Sequence, residues 1–201
     1  MEGGAGRLVT EWKPHSVVTK GNQVYRGKEL DSVSPVNLQS IHQIIIMSPS
    51  VLSQPAPDLT RRAPRSPRTR LGGYSHLPRL LDKCRALLAG NIGDYDYNCP
   101  RDQQFFAFTE IDAEKLKAAV ATGNGDGEML AWVQANAGKK RAAWEIKTWS
   151  EWMDNFSPAS DPGTAGFFAG ALAKLSATRA DIHSWSDLLE LDDHCSFGGK
   201  P

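Results

Sequence analysis

The chain has 201 residues, balances 23 Lys and Arg against 23 Asp and Glu, and is 40% hydrophobic. That length supports one packed domain with a remainder, or two small ones, and the composition excludes a wholly disordered or collagen-like chain. No apolar run approaches the ~18 residues that a bilayer crossing needs; the longest candidate is the short Ile44–Met47 run.

The opening stretch MEGGAGRLVTEWKPH lacks a charged region followed by an apolar one, so no secretory signal is read. Three widely spaced cysteines, Cys84, Cys99 and Cys195, suit a reducing cytosol better than a disulfide framework, and a cytoplasmic protein is expected. Residues 1–57 hold scattered valines, a weak hairpin pattern in SVVTKGNQVYRGKEL, and a Ser/Pro linker with Pro49, Pro55 and Pro57. They read as a flexible N-terminal extension, and the folded unit is expected over 58–201. Met47 opens the linker and is a candidate natural start, with 1–46 as upstream sequence; a natural extension is the alternative.

Helical periodicity begins at LPRLLDKCRALLAG. Leu77, Leu80, Leu81, Cys84, Leu87 and Leu88 form one apolar stripe, Pro78 suits the first turn and Gly90 the stop. Arg79, Asp82, Lys83 and Arg85 occupy the other face, where surface pairs across three residues are expected. Tyr95 and Tyr97 alternate with aspartates as in a short strand, predicting a β element near 94–97. Asn98-Cys99-Pro100 predicts a helix start with Asn98 as cap, Asp102 near its positive end, and Phe105, Phe106 and Phe108 as payload. Asp112 and Asp126 are read as caps of the next two helices, ended by Gly123 and Gly138. A helix over RAAWEIKTWSEWMDNF, another over FFAGALAKL and a last one over SWSDLLEL, capped by Ser184, complete a mainly α fold. Trp132, Trp144, Trp149 and Trp152 read as core and rim of a helix pair, with an aromatic pocket as the other reading.

Three stretches carry a resemblance. PRSPRTRLGGYSHLPRLLDKCRALLAG, YDYNCPRDQQFFAFTEID and WSDLLELDDHCSFGGK together resemble a family of bacterial proteins known as domain of unknown function 5069, over about residues 57–201. The resemblance implies a bacterial protein and brings no reaction, cofactor or catalytic residue with it. The segment before Pro57 lies outside it.

Zero net charge hides a polarised chain. Asp58 to Arg85 holds eight Lys and Arg against two Asp, a balance of plus six; Asp181 to His194 holds five acids and no Lys or Arg. The arm Arg61, Arg62, Arg65, Arg68 and Arg70 is therefore expected to dock on the acidic C-terminal segment, so that truncation after Leu191 destabilises the domain. Gripping phosphates is a second reading of the arm and plain solvation a third. Asp82 interrupts any basic helix face that could track a duplex, so nucleic acid is the less favoured partner.

Gly72-Gly73 reads as a backbone turn into the helix, with anion binding near His76 as the alternative, and no P-loop pattern is present. NGDGE fails the spacing of a calcium loop, and Asp192 to Cys195 lacks the remaining ligands of a zinc site. No metal site is expected from these motifs, and they leave the cofactor unknown. Cys99 at a helix start could pair with His76 as a nucleophile, though a buried or capping thiol is the commoner role. Tyr95, Tyr97, Asn98 and Asp102 form a polar cluster that either fixes local structure or lines a pocket with His76, Arg79 and Asp82.

Candidate binding residues are thus Arg68, Arg70, His76, Arg79, Asp82, Tyr97, Asn98 and Asp102. The favoured function is a small-molecule-binding protein or enzyme with a polar pocket between arm, first helix and acidic tail. The alternative is a non-catalytic module that contacts a protein or nucleic acid. A concave pocket in which His76, Asp82 or Asp102 meets arginines favours the first; a convex surface with an exposed arm favours the second.

Overall fold

Antiparallel pairing of Arg70–Leu71 (β1) with Tyr74–Ser75 (β2) turns the chain back on itself just before the first helix. Gly72 and Gly73 hold φ of 59° and 87°, the pair of left-handed conformations that a two-residue hairpin turn requires and glycine adopts without a Cβ clash. A Cβ on Gly72 would also overlap the Leu130 side chain, so the turn is pressed against a later helix. The computed structural model of the chain describes residues 55–160 and 162–201, all within the unit Ser48–Pro201. Residues 1–54 of the expected extension, with the weak hairpin and Met47, lie outside the described residues.

The fold is mainly α. Among the described residues seven α-helices follow the hairpin: α1 (Leu77–Leu88), α2 (Pro100–Thr109), α3 (Ala113–Ala121), α4 (Asp126–Asn136), α5 (Ala143–Asn155), α6 (Pro162–Leu175) and α7 (Trp185–Ser196). A 3-10 turn at Pro158–Ser160 joins α5 to α6. Two of the expected caps form as read. Asp112 Oδ1 accepts from Lys115 N–H at 2.9 Å, and Ser184 and Asp187 each accept the other's backbone N–H at the start of α7.

Four expectations need correction. The sheet lies at 70–75, not at 94–97; Tyr95 N–H bonds back to Ile92 and both tyrosine hydroxyls reach elsewhere, so the segment is a turn. Asn98 does not cap α2 with its side chain. It takes a left-handed φ of 64° and its backbone N–H donates to Asp102 Oδ2, so Asp102 reaches back to secure the entry and Cys99 is the cap residue. Gly125, not Asp126, stands at the cap of α4, because the Asp126 carboxylate is occupied by two arginines. Finally, the apolar stripe of α1 is buried only from Leu77 to Cys84; Leu87 and Leu88 are 38% and 39% exposed where the chain reverses at Gly90.

The main core gathers Leu77, Leu80, Leu81 and Cys84 of α1 with Phe105 of α2, Leu116 and Val120 of α3, and Met129 and Val133 of α4. Phe105 meets Tyr74 edge to face with centroids 5.8 Å apart, and Phe108 stacks on Trp149 at 4.5 Å. Trp132 and Trp149 pack at the margin of this core, whereas Trp144 and Trp152 face outward. A second, smaller cluster joins Phe168 of α6 to Ile182, Leu188 and Leu191 beside and within α7. α5 touches both β2 and α7 and so bridges the two.

Candidate polar site on the first helix

The face of α1 opposite its apolar stripe is covered. Arg79, Asp82, Lys83 and Arg85 are all buried, Arg79 to 2% exposure, and none makes the surface pair with its i+3 neighbour that spacing suggested. Buried charges persist only when paired and hydrogen-bonded, and each of these finds its partner on a different element. Asp82 accepts from the arm residue Arg65, through Nε at 2.9 Å, Nη2 at 2.8 Å and the backbone N–H at 3.0 Å. Arg85 donates to Asp126 of α4 at 2.7 Å, and Arg65 shares that carboxylate. Burial alone would raise the Asp126 carboxyl, but hydrogen bonds from Arg65 and Arg85 hold it below its ordinary value.

Arg79 is where arm, tail and first helix meet. Its guanidinium grips Asp193 of α7 in a two-point pair at 2.6 and 3.0 Å and donates to the Arg65 carbonyl at 3.2 Å. Tyr95 lies under the same guanidinium at 5.5 Å and donates its hydroxyl to Asp193 at 2.8 Å. Burial and the adjoining Asp193 push that phenol well above the usual tyrosine range.

Arg68 reaches from the arm to α7, where it pairs with Asp187 and Glu190, and Ser66 donates to Glu190 as well. Arg70 pairs instead with Asp154 at the end of α5. The arm is therefore docked on acidic groups of α7 at Arg68, with Arg65 and Arg70 bound to other elements.

A separate group forms around Asp102, which is fully buried. His76 Nε2 and Lys83 Nζ each stand 2.8 Å from Oδ1, Lys83 reaches Oδ2 at the same distance, and Asn98 N–H completes the set. Burial would raise this carboxyl, yet His76 and Lys83 together bring it below its ordinary value. Burial pushes the His76 imidazole down to about 4 despite the pull of Asp102, and its Nδ1 is buried without a partner. Lys83 Nζ also contacts Cys99 Sγ at 3.3 Å. Tyr97 lies apart, donating to the Ala113 carbonyl at 2.7 Å.

The eight residues singled out in the sequence are thus divided: His76, Asp102 and the Asn98 backbone in one closed group, Arg79 with Asp193, Asp82 with Arg65, Arg68 on α7, Arg70 on α5, and Tyr97 on α3. Sequence reasoning missed Lys83, Arg85, Asp126 and Asp193 as partners. Their only signal was charge, which on a helix face ordinarily means solvent.

Two clefts border the arm. One of about 290 Å³ is lined by Pro55, Pro57, Arg62, Pro64, Arg65, Asp82 and Arg85. Another of about 580 Å³ runs between Arg61, Arg62 and Ser66 and the end of α7 at His194 and Phe197. Among the described residues Arg61 and Arg62 close no ion pair, in contrast to Arg65, Arg68 and Arg70, though both act on the Asp58 carboxyl through their charge. Among the described residues no group of three His, Cys, Asp or Glu could hold a metal ion, and no helix is long and apolar enough to cross a membrane.

No curated protein matches the chain. The family model for the domain of unknown function DUF5069 matches residues 61–195, which contain the arm from Arg61, all of the Asp102 group and α7 as far as Cys195. The chain therefore belongs to the DUF5069 family.

Proposed function

We propose that this chain is a cytoplasmic, bacterial small-molecule-binding protein that takes a compact anion, a phosphate or small carboxylate, in the cleft between the arm and α1. The observation that carries the reading is Arg62. It lines a concave site with Arg65, Arg85 and Asp82 and, among the described residues, closes no ion pair; Asp58, whose carboxyl feels its charge, lies outside the lining. Within the lining and Asp126 behind it, three guanidiniums face two carboxylates, so the site holds one positive charge beyond its ion pairs, which Asp58 meets only from outside the lining. Arg65 and Arg85 are held rigid by their pairs, so a ligand meets prearranged donors and few side chains need ordering. The three unpaired thiols support the cytoplasmic reading.

Thermal denaturation of the full chain with inorganic phosphate and with small dicarboxylates tests this. A ligand at a hundredfold excess over Kd stabilises by about 2.7 kcal/mol, so Tm should rise in the wild type and not in Arg62→Ala. No rise with any of these anions, or an equal rise in the variant, overturns the proposal.

A second reading, a non-catalytic interaction module, draws support from Phe167 and Trp144, exposed at 69% and 70%. It predicts concentration-dependent association in sedimentation that Phe167→Ser weakens.

A further inference from the structure

Lys83 is directed at a sulfur. Its stem is buried on α1, and its ammonium is fixed by both Asp102 oxygens at 2.8 Å and by the Asp96 carbonyl at 2.9 Å. The remaining contact from that nitrogen is Cys99 Sγ at 3.3 Å. Cys99 is half-buried at the start of α2, open to a small oxidant, whereas Cys84 is sealed in the core and burial pushes its thiol up to about 12. An amine and a thiol in contact, one immobilised and the other reachable, are placed for a bond between them.

We propose that Cys99 and Lys83 form a reversible covalent bridge under peroxide, a sulfenamide that ties α1 to the start of α2. In the first step the Cys99 sulfur attacks peroxide. An S–O bond forms as the O–O bond breaks, sulfur gives two electrons to oxygen, and one water leaves with the thiol proton. In the second step the Lys83 nitrogen, having released its extra proton to solvent, attacks the sulfenic sulfur. The S–N bond forms, the S–O bond breaks, and a second water leaves. Thiol, ammonium and one peroxide thus yield the bridge, two waters and one proton. An external thiol reverses it by attacking the sulfur and freeing the amine, and a second thiol then restores Cys99. Closing the bridge also takes the Lys83 cation away from Asp102 and leaves that carboxylate the hydrogen bonds of His76 and the Asn98 N–H.

The test treats the folded full chain with hydrogen peroxide and follows intact mass and tryptic digestion. The expected product is lighter by two hydrogens, resists trypsin after Lys83, yields a joined Lys83–Cys99 peptide, and reverts with dithiothreitol. Cys99→Ser, and wild type oxidised in urea, should lack it, since the bridge depends on the folded contact. Sulfinic or sulfonic Cys99 with Lys83 still cleaved, an unoxidised Cys99, a disulfide to Cys84 or Cys195, or an equal yield in urea would each overturn the proposal.

Discussion

His76 gives one ring nitrogen to Asp102 and keeps the other buried without a partner, an arrangement suited to a neutral ring. Its imidazole titrates near 4 when folded against an ordinary 6.5. Between those values the unfolded chain binds a proton that the folded chain refuses, so stability falls as pH drops through the window, by at most about 1.4 kcal/mol per pH unit. Asp102 acts lower. Its carboxyl is held below 3.8, so its contribution is present above that value and disappears only in stronger acid. Urea unfolding between pH 7 and pH 4 should therefore show a slope that His76→Asn flattens. Asn suits the test because it tolerates the left-handed φ of 68° that His76 adopts. A slope unchanged by the substitution contradicts the buried neutral ring. Sequence placed both His76 and Asp102 among the candidates, but their link spans 26 positions and depends on the start of α1 meeting the first turn of α2, which periodicity does not encode.

α1 shows how far a pattern can be read. Its apolar stripe was legible from spacing alone, and Leu77, Leu80, Leu81 and Cys84 are indeed core. Two things were not. The stripe continues to Leu88, although the core stops a turn earlier, and its polar face looks like a solvated one although four other segments cover it. Neither is a local property; both follow from where neighbouring elements end. Leu80→Ala should lose about 2–5 kcal/mol of unfolding free energy, while Leu88→Ala should stay within about 0.5 kcal/mol. Chemical denaturation of the two variants checks this, and equal losses would place the α1 terminus in the core after all. Lys83→Met on the covered face should cost about 3–5 kcal/mol, because it leaves Asp102 short of its principal counter-charge. A loss below about 1 kcal/mol would show that His76 alone suffices.

For the whole molecule, the polarised charge of the sequence forecast that the arm would dock on the acidic C-terminal segment, and Arg68 on Asp187 and Glu190 does so. Individual partners were beyond reach, since Arg65 and Arg70, in the same run of arginines, turn to Asp126 and Asp154. Which acid an arginine reaches depends on how the helices stack, and five near-identical residues in one segment carry no such instruction. Arg79 joins these parts, holding the arm by the Arg65 carbonyl and α7 by Asp193. A double-mutant cycle across that pair is the most direct test that arm and tail are drawn together on α1. Arg79→Met and Asp193→Asn should each destabilise the full chain in urea, and the double variant should lose at least about 1 kcal/mol less than the two single losses combined. Losses that add to within about 0.3 kcal/mol would mean the two groups do not interact, and would contradict the account.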